Sequence, residues 1–468
     1  MKMNGLLIDC SRLTEQHDYY FRLVDFMADW GMNTLVLHFT DDHGCAIRLP
    51  GFEDIAVPHA FSVAEIHKLV AHARRRGVEI IPEVESFGHT RYLTDHPRYA
   101  HLYAGRKTRR LTFHAVDPLN PDTLRLMDRL IRETARLFPA AYLHIGCDEV
   151  NLTEYCRRSG VSDESAVWAQ YVNHMIALTR SHGRTPMLWA DHLVKSARIA
   201  QLVRKDAVLV HWNYELDVNA PAIARLRTAG FRNIVVAPSI ACYSHRFLPV
   251  RAALTNTQTM VEVGKANSAS GVLTTVWCPY RYLQNALYYG IAFAAEVTRG
   301  GGKINLPTFH ARFAKRVFGT PLAPVLRAFL DAWPDLAIDY RLAAGIYRRR
   351  TQFDADQKAQ LRKVNGLGRA VLKAAAQYTP ATNPEIWQDM VLAAQAAWLC
   401  SEWWCLATTT RPGAARIRTY RQQRKEIRQR MEQAWNRTRY ADDPQKDTPK
   451  FREEADQFAK LLVGRLPA

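Results

Sequence analysis

Tyr142-Leu143-His144-Ile145-Gly146-Cys147-Asp148-Glu149-Val150 begins as a short apolar run and ends on two adjacent carboxylates. Its first half reads as a buried β-strand, and Gly146 marks where the chain leaves it. Neighbours in an extended strand point to opposite faces, but past the strand end the chain turns, and Asp148 and Glu149 can then face one side together. Seven other runs share this form: Leu6–Asp9, Thr34–Phe39, Glu79–Pro82, Met187–Trp189, Val208–His211, Ile234–Ala237 and Val272–Val276. Amphipathic stretches lie between them, such as Tyr19–Trp30, Val63–Arg76, Thr123–Phe138, Val167–His182 and Val250–Lys265. Gly31, Gly77, Gly183 and Gly230 stand where such stretches close, as glycines after helices do.

Eight strands alternating with helices over about 300 residues predict an α/β fold, a (β/α)8 TIM barrel. A doubly wound open sheet would carry a glycine-rich phosphate loop after its first strand, and Asp9-Cys10-Ser11-Arg12 stands there instead. After residue 335 the pattern turns helical: Gln357–Ala376, Pro384–Thr408 and Ala415–Thr438 are long, and Pro380, Pro384 and Pro412 punctuate them. The expected organisation is a catalytic barrel over residues 1–335 and an α-helical C-terminal domain over 336–468.

The 468 residues are 48% hydrophobic and 23% charged, an ordinary globular composition that excludes global disorder. No apolar run approaches the roughly 18 residues that span a bilayer, so no membrane partner is expected. The opening apolar stretch is too short for a signal-peptide core, and the eight scattered cysteines form no C-x-x-C pair. A cytoplasmic protein with reduced thiols is the resulting expectation. The net charge is +18, and residues 341–468 hold 24 Lys/Arg against 13 Asp/Glu. Without an aromatic-interleaved basic motif, this excess reads as a solvated helical face, and nucleic acid is not expected as a partner.

Barrel function collects at the strand ends. Here they carry Asp9 and Arg12; His38, Asp41, Asp42 and His43; Glu83, Glu85 and His89; His144, Asp148 and Glu149; Trp189 and Asp191; His211, Trp212 and Tyr214; Tyr243, His245 and Arg246; and Trp277. Aromatic rings with carboxylates and an arginine suit a sugar, whose apolar faces stack and whose hydroxyls take charged partners. Glycosidases with two working carboxylates need them about 5 Å or more apart across the scissile bond. Sequence neighbours suit a substrate that supplies its own nucleophile.

The 142–150 stretch resembles the His-x-Gly-Gly-Asp-Glu signature of glycoside hydrolase family 20, the β-N-acetylhexosaminidases. Four further stretches agree in order: Ile8–Arg12, Leu37–Gly44, Ile81–Thr90 and Asp117–Pro121. The resemblance covers roughly residues 5–300, and the extra N-terminal domain of many relatives is not expected. It implies an exo-acting, retaining enzyme that removes terminal GlcNAc or GalNAc from a glycan or glycoconjugate through an oxazolinium intermediate. Glu149 is then similar to the general acid/base, and Asp148 to the residue that holds the acetamido N–H. His89 resembles the histidine beside the acid/base, backed by Asp41. In the substrate-binding set, Arg12 would grip hydroxyls and His144 belongs to the signature. Trp189, Trp212 and Trp277 would wall the acetamido pocket, and Tyr243 would donate to its carbonyl. No cofactor and no metal are implied.

Four departures mark this chain. Cys147 replaces the second glycine of the signature, Cys45 an aromatic, and His245 an Asp or Asn; Trp277-Cys278-Pro279 lacks the carboxylate of a Trp-x-Glu. Cys147 and the missing Glu define the alternative, a catalytically silent sugar-binding barrel of the same fold. Retention of Asp148, Glu149, His89 and Tyr243 together favours the enzyme.

Overall fold

The computed structural model describes residues 1–105, 114–218, 220–242, 251–338, 342, 345–346 and 351–440. Eight strands form the barrel: β1 (Met3–Asp9), β2 (Thr34–His38), β3 (Glu79–Glu83), β4 (Tyr142–His144), β5 (Thr185–Trp189), β6 (Val208–Trp212), β7 (Ile234–Ala237) and β8 (Gly271–Val276). They pair in chain order, and β8 returns to β1 to close the sheet. The strands are short, β-branched and almost wholly buried, as a parallel sheet covered by helices requires.

Register is the property of this barrel that matters for chemistry. Asp9 stands opposite His38, His38 opposite Glu83, and Glu83 opposite His144. Four consecutive strands therefore place a titratable residue in one layer, and all four side chains are buried.

The covering helices are α1 (Asp18–Asp29), α2 (Val63–Arg75), α3 (Pro121–Leu137), α4 (Glu164–Ser181), α5 (Ala197–Leu202), α6 (Ala220–Thr228) and α7 (Arg251–Ala266). Local chemistry sets where several begin. Ser62 and Glu65 form a reciprocal capping box on α2, and Asn120 caps α3 with Pro121 in its first turn. Between β2 and α2 a small sheet of Thr40–Asp41, Gly44–Ile47 and Ala56–Phe61 carries Asp41 away from the barrel strands. Cys45 is buried in it, with its thiol directed at the Ile47 carbonyl, 3.2 Å away.

The chain divides into two compact units, 1–238 with 259–275 and 239–258 with 276–468. This differs from the expected boundary at 335. The cause is aromatic packing by the helices after β8, α8 (Tyr288–Arg299), α9 (Leu306–Phe318) and α10 (Pro324–Ala332). Phe318 and Phe329 pack edge-on against Trp387 at 5.7 and 4.7 Å, which ties α9 and α10 to the long helices. Those are α11 (Ala355–Gln377), α12 (Pro384–Ala407) and α13 (Ala414–Asn436), within two residues of the expected limits. Among the described residues no helix is long and apolar enough to cross a membrane. All eight cysteines are unbridged.

Candidate active site

Arg12 anchors the site. Its guanidinium donates to Asp9 Oδ2 and to Asp41 Oδ2, each at 2.7 Å, and so bridges the end of β1 to the small sheet. Asp41 Oδ2 also lies 3.2 Å from His89 Nδ1. The opposite ring nitrogen, Nε2, is hydrogen-bonded to Glu149 Oε2 at 3.2 Å and stands 3.7 Å from Asp148 Oδ2. Arg12, Asp41, His89 and the Asp148–Glu149 pair thus form one continuous chain of charge, leading from a buried aspartate to a partly open glutamate.

Burial disfavours an imidazolium at His89, but Asp41 and Asp148 outweigh it and hold its pKa well above the ordinary value. Asp41, although fully buried, is held well below the carboxylate range by Arg12 and His89. Desolvation opposes the charge of Glu149 too, yet the bond from His89 keeps its pKa low. Asp148 goes the other way, up to about 6: burial outweighs His89, and the neighbouring carboxylates add to it. The two adjacent acids are therefore split, with the shared proton on His89 facing both.

Beneath them lies the charged layer of the barrel. Glu83 receives the indole N–H of Trp189 at 2.7 Å and sits 2.9 Å from His38 Nδ1 and 3.1 Å from His144 Nδ1. Burial works against a charged His38, but Glu83 and Asp41 push its pKa up to about 10. Glu85 is buried beside Asp148, and desolvation and that neighbour hold its carboxyl well above the usual range. A Cβ on Gly146 would fall 2.0 Å from Glu85 Oε2, so the absence of a side chain there is what admits Glu85.

The backbone around the pair is bent. Gly146, Cys147 and Glu149 have φ of +65, +75 and +51°, and His89 has +50°. These left-handed residues turn the strand end so that both acids face the pocket. Gly88 permits the close approach from the other side, since a Cβ there would meet the Asp148 carbonyl at 2.4 Å. Cys147 is buried, its thiol directed at the Ile145 carbonyl at 3.3 Å and its pKa pushed up to about 12 by desolvation.

Two of the expected substrate-binding residues have protein partners in the charged layer. His144 is fully buried in the layer, ion-paired with Glu83. Trp189 is 1% exposed, its N–H committed to Glu83 and its ring tilted over His144 at 4.6 Å. Both are buried with Glu83. Trp212 is half-buried at the end of β6, stacked on Tyr214 at 5.2 Å, with a buried indole N–H that has no hydrogen-bond partner among the described residues. Trp277 directly follows β8 and is half-buried. Tyr243, with His245 and Arg246, lies outside the described residues.

Behind the pair, Asp191 from the strand-end set is joined by two side chains that were not singled out in the sequence, His192 and Lys195. Asp191 Oδ2 accepts the Glu149 N–H at 3.4 Å and pairs with Lys195 at 3.2 Å, while His192 Nε2 takes the Val150 N–H at 3.0 Å. Asp191 and Lys195 are four apart on the short helix Asp191–Lys195, a spacing that signals such a pair. Two clusters, His38/Glu83/Glu85 and His89/Asp148/Glu149, bring metal-ligating atoms within 4.8 Å of one another. Each contains a histidine held protonated by its carboxylates, and a cation would meet that charge first.

A closed parallel barrel whose strand ends gather paired carboxylates, a charged histidine and aromatic rings has the architecture of a glycoside hydrolase. The family model of glycosyl hydrolase family 20, catalytic domain, matches residues 2–274, and the chain belongs to that family. It is 24% identical over 250 residues to the beta-hexosaminidase of Vibrio furnissii, covering 45% of this chain and 40% of that protein. It is 27% identical over 305 residues to human hexosaminidase D, covering 60% of each. The GH20 exo beta-N-acetylglucosaminidase from Vibrio harveyi in complex with N-acetylglucosamine superposes with a TM-score of 0.51 at 22% identity, over 64% of this chain and 54% of that one. The chain spans about half the length of the curated relatives it matches most strongly.

Proposed function

We propose that this protein is an exo-acting, retaining β-N-acetylhexosaminidase that works by substrate assistance. The observation that carries this reading is the position of His89 Nε2, which faces Glu149 at 3.2 Å and Asp148 at 3.7 Å. A single shared proton can then serve one acid while the other stays charged. Asp148 accepts the N–H of the 2-acetamido group and orients its carbonyl oxygen toward C1. Glu149 protonates the glycosidic oxygen, then takes a proton from the water that opens the oxazolinium ion.

The charge state of Glu149 fits this cycle. Its carboxylate is 35% exposed and ionised beside His89⁺. A bound sugar strips water from it, which raises its pKa, and the proton on His89 Nε2 is within hydrogen-bond reach. Asp41 and Arg12 keep the histidine fixed and its other nitrogen satisfied. The partner this mechanism requires is a glycan or glycoconjugate ending in β-linked N-acetylhexosamine.

The test is hydrolysis of the 4-nitrophenyl β-glycosides of GlcNAc, GalNAc and glucose side by side. Rapid release from one or both N-acetylhexosaminides with little from the glucoside is expected, and a thiazoline analogue should inhibit competitively. Equal turnover of glucoside and N-acetylglucosaminide would overturn substrate assistance. No turnover of any of the three, with the sugars still bound, would make the barrel a lectin.

A further inference from the structure

We propose that the groove between α11, α12 and α13 binds an anionic sugar, a pyranose carrying a carboxylate or sulfate. The groove holds about 420 Å³, within the range of small-molecule sites, roughly 300–1,000 Å³. Trp398 of α12 lines it, and its indole N–H is buried with no hydrogen-bond partner among the described residues. Gly368 is the residue that lets this ring lie against α11, because a Cβ there would stand 2.2 Å from Trp398 Cδ1. A glycine inside a helix is less stable than an alanine there, so the close seat of the indole is maintained at a loss in helix stability.

Cations line both walls. Arg369 and Lys373 project from α11 one turn apart, and Arg430 faces them from α13, its Nη1 held on Gln395 Oε1 at 3.0 Å. Arg369 is partly neutralised by the buried Glu402 at 3.0 Å, whereas Lys373 is exposed and in no ion pair among the described residues. Beyond the groove, Arg421, Lys425 and Arg428 repeat along exposed positions of α13 at helical spacing. Like charges at such spacing weaken a helix, and together they draw anions to this face. An aromatic ring, an amide and cations around a cavity of this size are the chemistry that recognises an acidic pyranose.

Nucleic acid fits less well. Single strands are held on a ladder of aromatic platforms along a basic track, and this groove offers one ring. Glu426, also on the α13 wall, can accept hydrogen bonds from sugar hydroxyls. The proposal concerns binding by the helical unit and does not depend on the barrel's reaction.

Titration of the full-length chain with four probes tests it: an oligogalacturonide hexasaccharide, a sulfated heparin hexasaccharide, neutral maltohexaose and a 20-nucleotide single strand. At least one acidic hexasaccharide should bind about tenfold or more tightly than maltohexaose, and the carboxylate and sulfate arms distinguish the two anions. Lys373→Gln with Arg430→Gln should weaken that binding about tenfold, with melting temperature and turnover of a neutral chromogenic glycoside unchanged. Trp398→Phe, which keeps a ring and removes the N–H, should weaken it as well. Equal affinity for maltohexaose, indifference to the double variant, or tighter binding of the single strand would overturn the proposal.

Discussion

Glu85 and Gly146 occupy each other's space: a Cβ on residue 146 would lie 2.0 Å from Glu85 Oε2 and 2.3 Å from its carboxyl carbon. Gly146 also has φ +65°, a conformation L-residues adopt at a cost of roughly 1–2 kcal/mol. Gly146→Ala should therefore lower the melting temperature by several degrees and displace Glu85 from Asp148, reducing kcat. If the clash is the cause, Glu85→Ala in the same chain should recover part of the stability loss, and a double-mutant cycle should show coupling. Strictly additive losses would mean that the backbone angle alone is responsible.

Cys147 directly precedes the paired acids at φ +75°, where a glycine would be unstrained. Its thiol is buried, and desolvation pushes its pKa to about 12. Cys147→Gly should keep kcat/KM within about threefold, because it relieves a backbone cost of roughly 1–2 kcal/mol while losing a small buried side chain. Iodoacetamide should leave this thiol unmodified in the folded protein, since the thiolate is the reactive form. Rapid native-state alkylation at Cys147, read by peptide mass mapping, would contradict its burial.

His38 gives the fold a pH dependence whose sign follows from its partners. Burial opposes its charge, but the Glu83, Asp41 and Asp9 carboxylates raise its pKa from 6.5 to about 10. Between those values the folded protein holds a proton that the unfolded chain releases. The stabilisation is complete below about pH 6.5 and is lost as pH rises toward 10, by at most about 1.4 kcal/mol per pH unit for one proton. Melting temperatures measured from pH 6 to 10 should fall, and His38→Gln should show a shallower fall over the same range. Parallel curves for the two proteins would remove His38 as the titrating group.

The barrel was legible because each strand is a short apolar run bounded by polar residues, and the Asp148–Glu149 pair because two carboxylates at one strand end have no packing use. The layer beneath them was not legible. The family resemblance places Trp189 and His144 among the sugar contacts. Whether such a residue faces the pocket or the barrel interior depends on register, and the pairing of His144 with Glu83 decides it. The compact units divide near residue 276 and not at 335 for a related reason. Helical periodicity shows that α9 and α10 are amphipathic, but not that Phe318 and Phe329 would seat on Trp387.

The last expectation concerns the proton between His89 and Glu149. If Glu149 delivers that proton to the leaving group, Glu149→Gln should lower kcat on an unactivated N-acetylhexosaminide disaccharide by at least about 10²-fold. The loss should be smaller on the 4-nitrophenyl glycoside, whose leaving group needs little protonation. His89→Asn removes the donor held 3.2 Å from Glu149 and 3.2 Å from Asp41. With the imidazolium gone, the transferable proton rests on Glu149 alone instead of on the more basic His89, and the basic limb of the pH–rate profile should move to lower pH. A merely structural His89 would lower kcat at all pH values and leave the limb in place. Asp148→Ala should behave differently from both, cutting N-acetylhexosaminide turnover for good and poor leaving groups alike and weakening thiazoline inhibition, because the acetamido group then lacks its orienting acceptor. Near-normal turnover of the disaccharide by the Glu149→Gln variant would show that the acid is a different residue.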